Sequence, residues 1–144
     1  MLAIASDHGG YEQKQALIEL FQERGIEYQD LGTSGAESVD YPDFAEPVTR
    51  LVAEGSAEAG ILICGTGIGM SISANKRLGI RAALVHDEYT ARMAREHNNA
   101  NILTMGGRVL SPDQAKRIVA VWLDSEYEGG RHQRRLDKIA ALEK

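Results

Sequence analysis

A three-layer α/β sandwich with about five parallel strands is the fold this sequence predicts, on two observations. Short apolar runs alternate with amphipathic stretches along the chain, and strict strand–helix alternation implies parallel strands joined by right-handed crossovers. No internal repeat, low-complexity run or linker divides the chain, so residues 1–144 are expected to form one domain.

Leu2-Ala3-Ile4-Ala5-Ser6 reads as the first strand and Asp7-His8-Gly9-Gly10 as a turn. From Tyr11 to Arg24 the spacing of Leu17, Ile18, Leu20 and Phe21 predicts a helix, closed by Gly25. Ile26 to Leu31 has the length of a second strand, followed by a polar loop to Asp40. Pro42 suits a first helical turn with Asp40 as a possible cap, and that helix runs to about Glu54; Pro47 inside it predicts either a later start or a bend. Ile61-Leu62-Ile63-Cys64 is a buried third strand, and Ser71 to about Gly79 continues as a helix. Ile80 to Val85, Tyr89 to Glu96 and Asn101 to Met105 repeat the pattern as strand, helix and strand. Ser111-Pro112-Asp113 places cap and proline in the expected order before a helix to Leu123. Beyond Gly129-Gly130, the spacing of Leu136, Ile139, Ala140 and Leu142 predicts a last amphipathic helix from Arg131 to Lys144.

With 144 residues and 43% hydrophobic content, the chain can bury a core without staples. Its apolar start reaches Asp7 at once and has no basic leader, which predicts neither a secretory signal nor a membrane span. One cysteine excludes an internal disulfide framework and fits a reducing compartment, so a cytoplasmic location is expected. A net charge of −5 argues against a nucleic-acid binder held by phosphate contacts. Any anionic ligand must be met by a local cluster.

In open parallel sheets ligands bind outside the carboxyl ends of the strands, near the point where strand order reverses. That rule selects Asp7 and His8, Gly32 and Thr33, Cys64 to Gly69, His86 and Asp87, and Gly106 to Arg108. A thiol at a helix N-terminus is activated as a base or nucleophile, whereas a buried one only fills the strand end; the glycine-rich loop beside Cys64 favours chemistry. Gly65-Thr66-Gly67-Ile68-Gly69 misses the dinucleotide fingerprint, whose third glycine comes one residue later, and lacks the Lys-Ser or Lys-Thr of a nucleotide P-loop. What remains is a nest of backbone N–H donors suited to a small oxyanion. His97 lies in the polar run Glu96-His97-Asn98-Asn99-Ala100-Asn101 and suits proton transfer near neutrality; His86 is a weaker candidate and His132 weaker still. Arg131 and Arg135, four apart, share a helix face and with Arg108 could clamp one phosphate, while Arg134 reads as solvated.

Ser6-Asp7-His8-Gly9-Gly10, the Gly65–Gly69 loop with Asn75-Lys76 beyond it, His97-Asn98-Asn99-Ala100-Asn101, and Gly129-Gly130-Arg131-His132 with Arg135 resemble the type B ribose-5-phosphate isomerases and their relatives acting on galactose or allose 6-phosphate. The resemblance covers essentially the whole chain. It implies a Rossmann-like α/β/α sandwich working without metal or other cofactor, as a homodimer or dimer of dimers with active sites between subunits. It implies Cys64 as the base that moves a proton between two sugar carbons and His97 as the acid/base that opens the furanose ring. Asp7 and His8 would contact substrate, and Gly65, Thr66, Gly67, Ile68 and Gly69 would bind it and stabilise the enediolate, Thr66 counting with the catalytic residues. Asn98, Arg108, Arg131 and Arg135 would hold hydroxyls and phosphate. Some members lack this cysteine and use a glutamate at the position of Met70; methionine cannot take a proton, which leaves Cys64.

Aldose–ketose isomerisation needs a base beside the carbonyl, donors for the enediolate and a phosphate anchor, and each has a candidate here. The expected activity is interconversion of ribose 5-phosphate and ribulose 5-phosphate. A hexose 6-phosphate or tetrose phosphate isomerase would use the same chemistry, and a non-catalytic sugar-phosphate-binding module would use the loop and arginines alone. A redox role for Cys64 lacks a partner cysteine.

Overall fold

Strands and helices alternate through the computed structural model, which describes residues 1–143. The elements are β1 (Leu2–Ser6), α1 (Tyr11–Arg24), β2 (Tyr28–Asp30), α2 (Pro42–Ala53), β3 (Ala59–Cys64), α3 (Ile68–Ala74), β4 (Ala82–Leu84), α4 (Glu88–Glu96), β5 (Ile102–Gly106), α5 (Pro112–Asp124) and α6 (Arg131–Ala141). Every strand pair is parallel, and the order is β2-β1-β3-β5-β4. The crossover after β1 leads outward to β2, whereas that after β3 leads toward β4 on the other side. The strand order therefore reverses between β1 and β3, and in open sheets of this kind the carboxyl ends at such a point carry the ligand site.

Alternation along each strand sorts the core into two layers. Leu2 and Ile4, Ile61 and Ile63, and Leu103 and Met105 pack with α1, α4 and α5 on one face. Ala3, Ala5, Leu62, Cys64 and Ile102 pack with α2 and α3 on the other. α6 lies along the β4 edge, where Leu136 and Ile139 line a small cavity with Ile80, Ala82 and Ala83.

β1, α1 and the start of α5 fall where expected. Gly25 takes a left-handed φ of 66° and donates to the carbonyls at the end of α1, and Ser111 caps α5 reciprocally with Gln114. β2 and β4 are shorter than Ile26–Leu31 and Ile80–Val85, because each lies at a sheet edge and pairs on one side only. α2 runs through Pro47 from Pro42 to Ala53, with Tyr41 rather than Asp40 at the cap position. Burial of Ala45, Val48 and Val52 outweighs the roughly 3 kcal/mol cost of an interior proline. α3 starts at Ile68 rather than Ser71 and stops at Ala74, short of Gly79. There Asn75 turns its side chain to the outer edge of β4, donating to the Ala82 carbonyl at 3.0 Å and accepting from the Ala82 N–H at 2.9 Å. α6 ends at Ala141, and Lys144 lies outside the described residues. Among the described residues no helix is long and apolar enough to cross a membrane.

Candidate active site

β1, β3 and β5 stand side by side, and the loops leaving their carboxyl ends converge. Cys64 is the last residue of β3 and sits opposite Gly106. It is 4% exposed, within the layer formed by Leu62, Met70 and Ala74, and its Sγ accepts the Gly67 N–H at 3.2 Å. Asp7 is buried and accepts the Gly9 N–H at 2.8 Å, which caps the short turn after β1. His8 Nδ1 accepts the Val39 N–H at 3.2 Å, so the proton of a neutral imidazole resides on Nε2, free to meet a ligand.

Glycines let these loops touch backbone to backbone. A Cβ on Gly9 would stand 3.1 Å from the Gly65 nitrogen, and one on Gly106 would stand 2.8 Å from the Thr66 backbone. Gly67 needs its glycine twice, for a φ of 83° and for contact with the Met105 backbone. The Gly107 and Arg108 N–H groups donate to the carbonyls of Cys64 and Gly65. From α1, the buried Gln13 donates to the carbonyls of Gly107 at 2.9 Å and Leu110 at 2.8 Å, clamping the loop that carries Arg108. The Arg108 guanidinium lies against Gly65.

The loop is thus only partly the open nest its glycines suggest. The Gly67 N–H is taken by Cys64, and the Ile68 N–H by the Thr66 hydroxyl at 3.2 Å. The Gly69 and Met70 N–H groups, in the first turn of α3, donate to no acceptor among the described residues. The Tyr41 ring covers Gly69, a contact that no sequence spacing signals.

His97, Asn98, Arg131 and Arg135 do not join this group. His97 closes α4, which runs back against the strands, and Asn98 precedes β5, whose first residue Ile102 pairs with Gly60 near the start of β3. They lie at the amino edge of the sheet. About 13 Å of β5, four residues at roughly 3.3 Å each, separates that edge from Cys64. The polar run after His97 finds its partners here. Arg81 donates to the Asn98 and Asn99 carbonyls, and Asn101 accepts the Arg81 N–H and donates to the Gly79 carbonyl.

At the same edge the His97 and His132 rings stack with centroids 4.3 Å apart and planes 15° apart. Glu128 Oε1 stands 3.2 Å from His132 Nε2 and 3.7 Å from His97 Nε2. Arg131 and Arg135 open α6 beside this stack, both exposed. The structure brings His132 and Glu128, neither of them among the site residues expected from the sequence, against His97, and their i, i+4 spacing across Gly129-Gly130 is the sequence signal for that contact. Asp87, in the loop after β4, is the cap of α4: its carboxyl is held below the usual range, chiefly by the Thr90 N–H and then by the Thr90 hydroxyl. His86 beside it is well exposed.

Known proteins resemble this chain in sequence and in fold. Ribose-5-phosphate isomerase B of Escherichia coli is 46% identical over 142 residues, 99% of this chain and 95% of that protein. The structure of ribose-5-phosphate isomerase B from Clostridium thermocellum has a TM-score of 0.97 at 52% identity and covers 99% of this chain and 96% of that one. That of the Mycoplasma genitalium ribose-5-phosphate isomerase B, with bound ribulose-5-phosphate, has a TM-score of 0.95 at 44% identity, covering 99% and 95%. The family profile for ribose/galactose isomerases matches residues 2–139. By sequence along nearly its whole length, and by fold, the chain belongs to the ribose/galactose isomerase family.

Proposed function

We propose that residues 1–144 act as a single sugar-phosphate isomerase domain, working in the cytoplasm, that interconverts ribose 5-phosphate and ribulose 5-phosphate. The observation that carries the reading is the Cys64 sulfur at the carboxyl end of β3, with Asp7 and His8 in the turn that follows β1 and Arg108 in the loop that follows β5. Ring opening breaks the bond from C1 to the ring oxygen and makes O1 the aldehyde oxygen; His97 carries the proton from O1 to the freed oxygen. Cys64 then removes the C2 proton. The electron pair left behind forms the C1–C2 double bond, and charge passes to O1. Transfer of the O2 hydroxyl proton to O1, and return of the proton from sulfur to C1, give the ketose. The Gly69 and Met70 N–H groups and the Thr66 hydroxyl supply donors near the developing oxyanion.

The partition of candidates between two edges favours an enzyme of two or more copies. Asp7, His8, Cys64 to Gly69 and Arg108 of one chain would meet His97, Asn98, Arg131 and Arg135 of its neighbour, in a homodimer or dimer of dimers. Ile68 and Ile72, one turn apart on α3 and 52% and 59% exposed, offer an apolar stripe for that contact.

A direct isomerase assay across phosphorylated tetroses, pentoses and hexoses tests the reading. The highest kcat/KM is expected for ribose 5-phosphate. A hexose or tetrose preference would reassign the substrate, and absence of turnover with all of them would leave a binding module.

A further inference from the structure

We infer that Glu128 is a positioning residue for ring opening, holding His97 in place directly and through His132; this rests on the ring-opening role proposed above for His97. One carboxylate oxygen serves both imidazoles. Glu128 Oε1 lies 3.2 Å from His132 Nε2 and 3.7 Å from His97 Nε2. An ionised carboxylate only accepts, so the bonded Nε2 of His132 carries its proton. The same charge draws the His97 proton to Nε2 and leaves Nδ1, which has no partner among the described residues, as the lone-pair atom.

The backbone is built to keep this arrangement. The Glu128 N–H donates to the Glu96 carbonyl at 3.0 Å, tying Glu128 to the residue before His97. Gly129 and Gly130 then take φ values of 68° and 57°, a turn open to glycine, and bring the first turn of α6 back so that His132 faces Glu128. His132 is buried, whereas His97 and Glu128 are open to solvent, so the group has a fixed inner member and an accessible working one. A cation held by the same three side chains fits less well. Ring nitrogens coordinate in the plane of the imidazole, and two planes stacked within 15° do not aim their lone pairs at one point.

Ring opening can be read apart from proton abstraction. Ribulose 5-phosphate cannot close a five-membered ring, because its C5 oxygen carries the phosphate. Entry of deuterium from D2O at its C1 therefore reports the Cys64 step alone. In the full-length protein, Glu128→Gln is expected to lower kcat/KM for ribose 5-phosphate by about tenfold, part of the roughly 10²–10⁴-fold that positioned proton transfer supplies. Deuterium entry should stay within about twofold of wild type, and Glu128→Asp should recover part of the loss. His132→Gln, which removes the stack and keeps the carboxylate, should split the two rates in the same sense. Equal loss in both assays with melting temperature and assembly unchanged, or no loss in either, overturns the inference. His97→Asn is the reference: if it separates the rates and Glu128→Gln does not, only the role of Glu128 fails; if His97→Asn does not separate them, the ring-opening reading fails and this inference with it.

Discussion

Cys64 and His97 stand at opposite edges of one parallel sheet, Cys64 at the carboxyl end of β3 and His97 on the approach to the amino end of β5. No side-chain rotation spans that distance, so a site using both takes them from two chains. With ribose 5-phosphate as substrate, Cys64→Ala and His97→Asn should each be strongly impaired alone. Refolded together in equal amounts they should regain about a quarter of wild-type turnover, since half the dimers are mixed and one of the two sites in each is whole. Steady-state assay of the mixture decides the matter; no recovery despite proven subunit exchange would place each site within one chain.

The role proposed for Cys64 separates proton transfer from phosphate binding. Cys64→Ala should reduce kcat by about 10²–10⁴-fold while a phosphorylated competitive inhibitor binds as before, and the circular dichroism spectrum should not change. Near-normal turnover in this variant rules the sulfur out as the base.

Arg131 and Arg135 open α6 on the face beside the His97–His132 stack. Arg131→Ala and Arg135→Ala should raise KM for ribose 5-phosphate more than they lower kcat, because an anchor acts on bound substrate and transition state alike. An unaltered KM in both would remove the clamp.

Gln13 reaches the site from α1 through two carbonyls rather than by touching substrate. Gln13→Leu leaves both carbonyls without a partner and should cost about 1–3 kcal/mol in stability, seen as an earlier urea midpoint. Because Gly107 and Leu110 flank Arg108, KM should rise as well. A stable variant with wild-type KM would show that the loop needs no clamp.

Asp87 contributes stability in a definite pH window. Its folded pKa lies below the ordinary 3.8, chiefly through the Thr90 N–H, so its contribution is present above that value and is lost as pH falls through the folded pKa. The melting-temperature gap between wild type and Asp87→Ala should be widest near neutrality and close in acid. A gap independent of pH would mean that the charge on Asp87 is irrelevant to its capping.

Much of this was legible in local chemistry. Tyr11–Arg24 ends where Gly25 can turn left-handed, and Ser111-Pro112 opens α5 as a cap and a first-turn proline should. Edges were less legible, because the extent of β2 and β4 depends on which neighbour pairs with them. At the site, the carboxyl-end rule brought Asp7, Cys64 and Arg108 together. The glycines of the Gly65–Gly69 loop were harder to interpret, since they accommodate Gly9, Met105 and Gly106, contacts made across long stretches of chain. The separation of His97 from Cys64 follows from direction alone: a residue leading into a parallel strand cannot share an edge with one that ends its neighbour.

Asn75 gives the sheet a boundary. Its amide engages both the N–H and the C=O of Ala82, the first outward-facing residue of a three-residue strand, in place of a sixth strand. A second chain arriving at that position finds the ladder already closed, so β-sheet extension of the kind that seeds aggregates is blocked there. Any contact made at this edge is left to side chains, which can be tuned one residue at a time without disturbing the hydrogen-bonded frame that carries Cys64.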